Sequence, residues 1–373
     1  MQAPRNPAAP YRHLDLTLLL STLGIAAIGV LMVYSSTRQK QETAGLDPAF
    51  YLKRQLVYVA LGLVALAVVC LVDYRRIRDF TPMLYGGAIL ALLLVISPIG
   101  TSRRGTQAWF QIGSFQFQPS EVSKVVLIVA LAAVLAGARG SLDTAGLLTA
   151  MGVAFVPMAL IYVQPDLGTN MVFAAVVIAV LLVAGARPRH IAVLTLLGIT
   201  AVALVVQLGM LQDYQRDRLT AFLDPQADTQ RSSYNLRQSQ IAIAAGGLAG
   251  RGLFEGTQTN LSFVPEQHTD FIFTAVGEEL GLIGGVSLLT LFGVMMWRIW
   301  RAAVLARDQF GRLVCVGVLA MLVFQVFENV GMTMGITPIT GIPLPFMSYG
   351  GSAMIASFIG IGLVLNVHMR RFT

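Results

Sequence analysis

Charge is what this chain has least of. Asp, Glu, Lys and Arg make up 12% of its 373 residues, and 55% are hydrophobic. A soluble globular chain carries roughly 25% charged residues, so an ordinary soluble enzyme is a poor fit. Cysteine is scarce as well. Cys70 and Cys315 are the only two, and both fall inside apolar runs. They read as core thiols, not as a disulfide framework. No C-x-x-C, H-E-x-x-H or P-loop string occurs, so soluble metal- and nucleotide-binding readings have no support. The net charge of +7 does not call for nucleic acid, because basic cytoplasmic loops explain it in a membrane protein.

What the chain has in abundance is apolar runs of membrane-spanning length. Residues 14–34 form a run broken only by Asp15 and small polar residues. At ~1.5 Å per residue it covers ~30 Å, the hydrocarbon thickness of a bilayer. Similar blocks lie at 54–72, 81–97, 119–137, 146–163, 169–185, 190–209, 271–297, 312–336 and 346–367. The expectation is an all-α integral membrane protein of ten transmembrane helices, forming one polytopic domain over 1–373. The first block follows Arg5, Arg12 and His13. It is too long for a signal-peptide core and no small-x-small cleavage site follows, so it reads as a retained helix.

Ten helices put both termini on one side. The loops there hold "DYRRIRD" (73–79), Arg139, "ARPRH" (186–190), "RIWRAAVLARDQFGR" (298–312) and "HMRR" (368–371), which makes that side cytoplasmic. Many of the other basic residues fall outside: Arg38, Lys40, Lys53, Arg54, Arg103, Arg104, Lys124, Arg216, Arg218, Arg231, Arg237 and Arg251. Long translocated loops tolerate charge; as a set, these residues also suit an anionic ligand such as a pyrophosphate-linked lipid. Five of them lie in one long outer segment, about 210–270, between the seventh and eighth helices. Within it, "SSYNLRQSQIAIAAGG" (232–247) predicts a short interfacial helix ended by glycines.

Ionisable residues at membrane depth are Glu121, Lys124, Asp166, Glu278, Glu279 and Glu328. Each is costly to bury unpaired, which makes each a functional candidate. Glu121 and Lys124 are three apart and suit either a structural pair or a substrate contact. Asp166 suits either a helix cap or an outer cavity. In "FVPEQHTDFIF" (263–273), Asp270 is the last polar residue before an apolar helix. It can take a proton from a sugar hydroxyl, or it can simply cap the helix with Thr269. Glu266 lies at a bend after Pro265, and His268 suits a structural hydrogen bond better than catalysis. Trp109 suits either sugar stacking or interface anchoring. "GIPLPFMSYGGSAM" (341–354) holds no acid or base. Its prolines and glycines suit either a broken helix start that approaches a ligand or close helix packing.

Several strings, in order, carry a resemblance: "FYLKRQLVYVALG" (50–62), "RRGTQAWFQIGSFQFQPSEVSK" (103–124), "YVQPDLGTNMVF" (162–173), "RLTAFLDP" (218–225), "SYNLRQSQIAIAAGGLAGRGL" (233–253), "FVPEQHTDFIFTAVGEELGLIG" (263–284) and "ITPITGIPLPFMSYGGSAM" (336–354). Together they resemble the shape, elongation, division and sporulation (SEDS) family of membrane peptidoglycan glycosyltransferases over essentially the whole chain. The last string resembles the RodA branch more than the FtsW branch. The resemblance implies polymerisation of lipid II onto a nascent glycan strand at the outer face of the bacterial cytoplasmic membrane, beside a class B penicillin-binding protein. It places the catalytic role on Asp270. Candidate substrate-binding residues are then Lys124, Arg104, Trp109, Glu121, Asp166, Arg216, Arg218, Gln240, Glu266, His268, Thr269, Lys53 and Arg54. No cofactor is required, although a divalent cation (Mg or Mn) could share the leaving-group charge. The competing readings are a lipid II flippase, which also uses intramembrane charge and broken helices, and a non-catalytic scaffold for the penicillin-binding protein.

Overall fold

A computed structural model describes residues 13–103, 106–113, 115–137, 142–209, 213–223 and 232–372. Its helices are α1 (Leu16–Thr43), α2 (Phe50–Leu71), α3 (Tyr74–Asp79), α4 (Thr81–Ile96), α5 (Pro119–Leu135), α6 (Thr144–Val163), α7 (Leu167–Val183) and α8 (Pro188–Gln207). They continue with α9 (Asp213–Leu223), α10 (Ser232–Gly246), α11 (Thr257–Asn260), α12 (Ile272–Val304), α13 (Gln309–Met334) and α14 (Gly351–Met369). Seven of these, α1, α2, α6, α8, α12, α13 and α14, are long and apolar enough to cross a membrane; α4 and α7 are shorter apolar helices.

Every predicted apolar block coincides with a helix, but several ends differ. α1 runs on to Thr43, and α12 to Val304. α14 starts at Gly351, not near 346, because Phe346 takes a left-handed φ of 63° and Gly350 is non-helical, so the chain between them turns before the helix begins. The all-α expectation also needs correction. Between α4 and α5 lies an antiparallel sheet of β1 (Thr101–Arg103), β2 (Thr106–Ile112) and β3 (Phe115–Phe117), in the order β1-β2-β3. Phe115, Gln116, Phe117 and Gln118 alternate apolar and polar side chains, the strand period of two, whereas residues 106–112 do not.

α5, α13 and α14 are the most enclosed helices, and α14 is buried along nearly its whole length. The outer faces of α2, α4, α6 and α8 present leucine and valine, as a lipid-facing surface must. In lipid, helices gain little from hiding apolar surface from one another, so close backbone contact matters more. α1 meets the 335–350 segment in this way. A Cβ on Gly29 would lie 2.6 Å from Met347 Cα. α10 rests on α12 by the same device, with a Cβ on Gly246 falling 1.9 Å from the Gly277 carbonyl oxygen. The predicted helix at 232–247 is therefore present, and it packs on the bundle.

Candidate active site

The α12 N-terminus sets the site. Glu266 adopts a left-handed φ of 55° after Pro265, and its carbonyl accepts the N–H groups of Thr269 and Asp270, each at 3.1 Å. The Thr269 hydroxyl donates to the same carbonyl at 3.1 Å. α12 then begins at Ile272 with Phe271 as N-cap and no side-chain cap. The capping role weighed for Thr269 and Asp270 is thus not the one they play, because the tight turn at 266–270 ends one residue before the helix cap.

Asp270 faces the non-helical segment 335–350. Its Oδ2 and the Arg218 Nη1 each lie 3.4 Å from where a Cβ on Gly341 would stand. The carboxylate and the guanidinium therefore converge on one glycine whose φ is +77°. Arg218 Nη1 also donates to the Thr340 carbonyl at 3.1 Å, which fixes α9 to this segment. Asn329, fully buried on α13, donates from Nδ2 to the Asp270 and Ile342 carbonyls, both at 2.8 Å. One amide thus ties the Asp270 peptide to the segment that carries Gly341.

The start of α7 closes on the same segment. A Cβ on Gly168 would lie 3.1 Å from the Thr340 carbonyl oxygen. Asp166 caps α7, accepting from Thr169 N at 3.0 Å and Thr169 Oγ1 at 2.8 Å. It also accepts from Gln118 Nε2 at 3.3 Å, and the Gln118 N–H donates to Ser352 Oγ at 2.9 Å. The N-termini of α5, α7 and α14 therefore meet on the Asp270 side. Inside α5, Lys124 pairs with Glu121 at 2.8 Å, with side chains only 3% and 5% exposed.

His268 belongs to an aromatic cluster. Its carbonyl accepts the Tyr349 N–H at 2.8 Å. Its ring lies 5.1 Å from Tyr51 and 5.6 Å from Tyr349 between centroids. Burial, with Tyr58 beside it, pushes the Tyr349 hydroxyl up to about 12, so this phenol stays neutral. Arg54 lies beside the Tyr349 hydroxyl and over the Phe50 ring at 4.4 Å.

Other candidates lie in different surroundings. Lys53 forms an exposed pair with Asp47 at 2.7 Å. Arg216 donates to the Gly209 carbonyl, just beyond α8, at 2.9 Å. Gln240 donates to the Met334 carbonyl at 3.1 Å and finishes α13. Trp109 sits in β2, and its carbonyl accepts the Thr101 hydroxyl at 3.0 Å. Arg104 lies outside the described residues. Among the described residues, no three His, Cys, Asp or Glu side chains gather as a metal cage.

Glu278 and Glu279 act as clamps. Fully buried Glu278 accepts from Gln258 N (2.7 Å), Thr259 N (3.0 Å), Thr259 Oγ1 (2.7 Å) and Thr257 Oγ1 (3.3 Å). Thr259 Oγ1 in turn accepts from Gln267 Nε2 at 2.9 Å, and the same amide reaches Thr274 Oγ1 at 3.0 Å. Glu279 joins the Phe254 N–H (3.1 Å) to the Ser35 hydroxyl of α1. Sequence reasoning marked the 336–354 segment, with Thr340 and Gly341, only as a motif and did not select Asn329. The available signal was Gln325, Glu328 and Asn329 at i, i+3 and i+4, a polar stripe on an otherwise apolar helix.

The family model of the FtsW, RodA and SpoVE cell cycle proteins matches residues 15–372. This chain belongs to that family. It is 38% identical to stage V sporulation protein E of Bacillus subtilis, covering 95% of this chain and 96% of that one. It is 37% identical to the peptidoglycan glycosyltransferase MrdB of Escherichia coli K12, covering 96% and 94%. Among solved structures, a chain from a peptidoglycan synthase complex that coordinates polymerization and crosslinking superimposes with a TM-score of 0.80 at 34% identity, covering 96% of this chain and 99% of that one. The crystal structure of the rod shape determining protein RodA of Thermus thermophilus superimposes with a TM-score of 0.72 at 32% identity, covering 96% and 98%. Membership makes this a multi-pass membrane protein with a RodA-like fold.

Proposed function

We propose that this family member is a peptidoglycan glycosyltransferase that polymerises lipid II into β-1,4 glycan strands, with Asp270 as general base. The observation that carries the role of Asp270 is its convergence with Arg218 on Gly341 while Asn329 holds its peptide. A carboxylate beside a guanidinium, at the mouth of a helical bundle, suits a sugar hydroxyl and a pyrophosphate together.

Lipid II is an α-linked undecaprenyl pyrophosphate and the product is β-linked, so one inverting displacement suffices. The 4-hydroxyl oxygen of an N-acetylglucosamine forms the new bond to the anomeric carbon. The bond from that carbon to the pyrophosphate oxygen breaks, and undecaprenyl pyrophosphate leaves with the electron pair. The hydroxyl proton goes to the Asp270 carboxylate. Arg218 takes up charge on the leaving group, with Lys124 deeper on the same side. Holding two large substrates in line supplies much of the rate. A divalent cation would take its ligands chiefly from the pyrophosphate and water, with Asp270 as the nearest protein carboxylate. It would add charge neutralisation to that of Arg218.

The chain is read as one domain of ten crossings, with α4, α5 and α7 joining the seven longer helices. Both termini are cytoplasmic, and α9, α10 and α11 lie in the outer segment. The partner is a class B penicillin-binding protein, and the role is cell elongation, as in the RodA branch. Against a flippase, buried Glu121, Lys124, Glu278, Glu279 and Glu328 lie in the halves of α5, α12 and α13 nearer Asp270, while buried Asp15, His368 and Arg370 lie at the opposite end, so among the described residues the buried charge falls into two groups. The test is polymerisation of lipid II by the purified protein with its cognate penicillin-binding protein. Glycan strands support the enzyme. An active complex that makes none, while lipid II crosses a vesicle bilayer, supports transport instead.

A further inference from the structure

At the other end of α12, charge of one sign is left over. Buried Asp15 accepts from Arg298, with Nε at 2.8 Å and Nη2 at 2.7 Å from Oδ2. Arg301 lies one turn further along α12, and Arg371 lies just past α14. Arg371 interacts electrostatically with Asp15, Arg298 and Arg301. Among the described residues, neither Arg301 nor Arg371 forms an ion pair with a carboxylate. His368 stands within the same group, buried, with no hydrogen-bond partner at Nδ1.

The charges can be weighed. Among the described residues of this group, the guanidiniums of Arg298, Arg301 and Arg371 face the Asp15 carboxylate. The C-termini of α12 and α14 each contribute about −0.5 and the N-terminus of α1 about +0.5, which leaves an excess of about +1.5. Burial already lowers the Arg371 guanidinium from its ordinary value, and Arg298 and Arg301 repel it further. Such an excess is complemented by a single monoanion.

The surroundings say which kind. Trp297 and Trp300 are 50% and 54% exposed. The Arg298 and Arg301 guanidiniums each lie 5.5 Å from the Trp297 ring centroid. Exposed tryptophans with arginines over the ring mark the depth of lipid headgroups. About 28 residues separate this cluster from Asp270, and α12 is broken at Gly281, where φ is 64°; at ~1.5 Å per residue the separation is at most roughly 40 Å, on the order of a bilayer's width.

We infer that Arg298, Arg301 and Arg371, grouped around Asp15, bind one phosphodiester, the headgroup of an anionic phospholipid in the leaflet opposite Asp270. Guanidiniums grip phosphodiester oxygens in bidentate fashion, and Trp297 flanks the glycerol. Inorganic phosphate shares the headgroup's charge but gains nothing from the tryptophans.

The test is a melting-temperature titration of the full chain in neutral detergent. The probes are phosphatidylglycerol, phosphatidylcholine and inorganic phosphate. The variants are Arg301→Gln with Arg371→Gln and, as a control, Arg307→Gln with Arg312→Gln, which removes two exposed arginines from the same end. The expected result is stabilisation of the wild type by phosphatidylglycerol alone. The apparent affinity should fall about 30-fold in the site pair, at about 1 kcal/mol per arginine near a lipid surface, and less than about 3-fold in the control pair. Equal losses in the two pairs would reduce the effect to general surface charge and overturn the site. Equal stabilisation by inorganic phosphate would overturn the lipid assignment.

Discussion

Removing the Asn329 amide should disable polymerisation while leaving a folded protein. In Asn329→Ala, the carbonyls of Asp270 and Ile342 each lose a donor at 2.8 Å. A buried acceptor left unsatisfied costs about 1–3 kcal/mol, so the two together cost about 2–6 kcal/mol if no water enters. The bundle has many other contacts, and the expected fall in melting temperature is a few degrees. Activity should fall much further. The amide is the direct link between the Asp270 peptide and the Gly341 segment, and a displacement of about 1 Å at a reacting group costs on the order of 100-fold. Asn329→Asp separates the lost donors from the cavity. It keeps the shape, retains at most one donor, and should lose a similar amount of activity. The assay is the initial rate of lipid II polymerisation in the complex, at saturating lipid II, beside melting temperature and partner binding. The reasoning predicts a fall in kcat with little change in KM. A wild-type rate for Asn329→Asp would refute it, as would activity lost only in proportion to unfolded protein.

The remaining predictions concern the same frame. Glu278→Gln keeps volume but gives up one charge-assisted acceptor facing Thr259; a loss of about 1.5–3 kcal/mol and a several-fold slower polymerisation are expected, checked by melting and by initial rate. Gly341→Ala forces an L side chain to a φ of +77° and into the space shared by Asp270 and Arg218; it should cost about 1–2 kcal/mol and abolish detectable strand synthesis. Lys124→Met strands the buried Glu121 carboxylate and should destabilise by about 3–5 kcal/mol. Adding Glu121→Gln should restore the melting temperature but not the rate, and recovery of both would make the pair purely structural. Lys53→Ala breaks only an exposed pair and should polymerise at the wild-type rate.

The helices were legible because an apolar run of fixed length is a local property. The 232–247 helix was legible for the same reason, through its polar start and glycine end. The sheet at 101–117 was harder to see: residues 106–112 do not alternate, and the alternation at 115–118 is too short to announce a strand. The tight turn at Pro265 and Glu266 moved the α12 cap to Phe271, and only backbone geometry could reveal that. The partners of Asn329 lie 59 and 13 residues away, so its role depends on tertiary packing. Gln240 and Arg216 have partners that only tertiary packing shows: Gln240 donates to the last carbonyl of α13, and Arg216 to the Gly209 carbonyl beyond α8. Glu278 and Glu279 stood out as buried charge, and the hydrogen bonds that make them clamps come from α11, from Phe254 and from Ser35 of α1.

The central claim is that the Asp270 carboxylate accepts the proton in strand synthesis. Its most direct test is the polymerisation rate of Asp270→Asn in complex with the cognate class B penicillin-binding protein, with folding and partner binding matched to wild type. Asparagine keeps the shape and removes the base, so the account predicts that strands disappear or form at least 100-fold more slowly. Strands at the wild-type rate would contradict it and leave Asp270 as a structural residue of the turn.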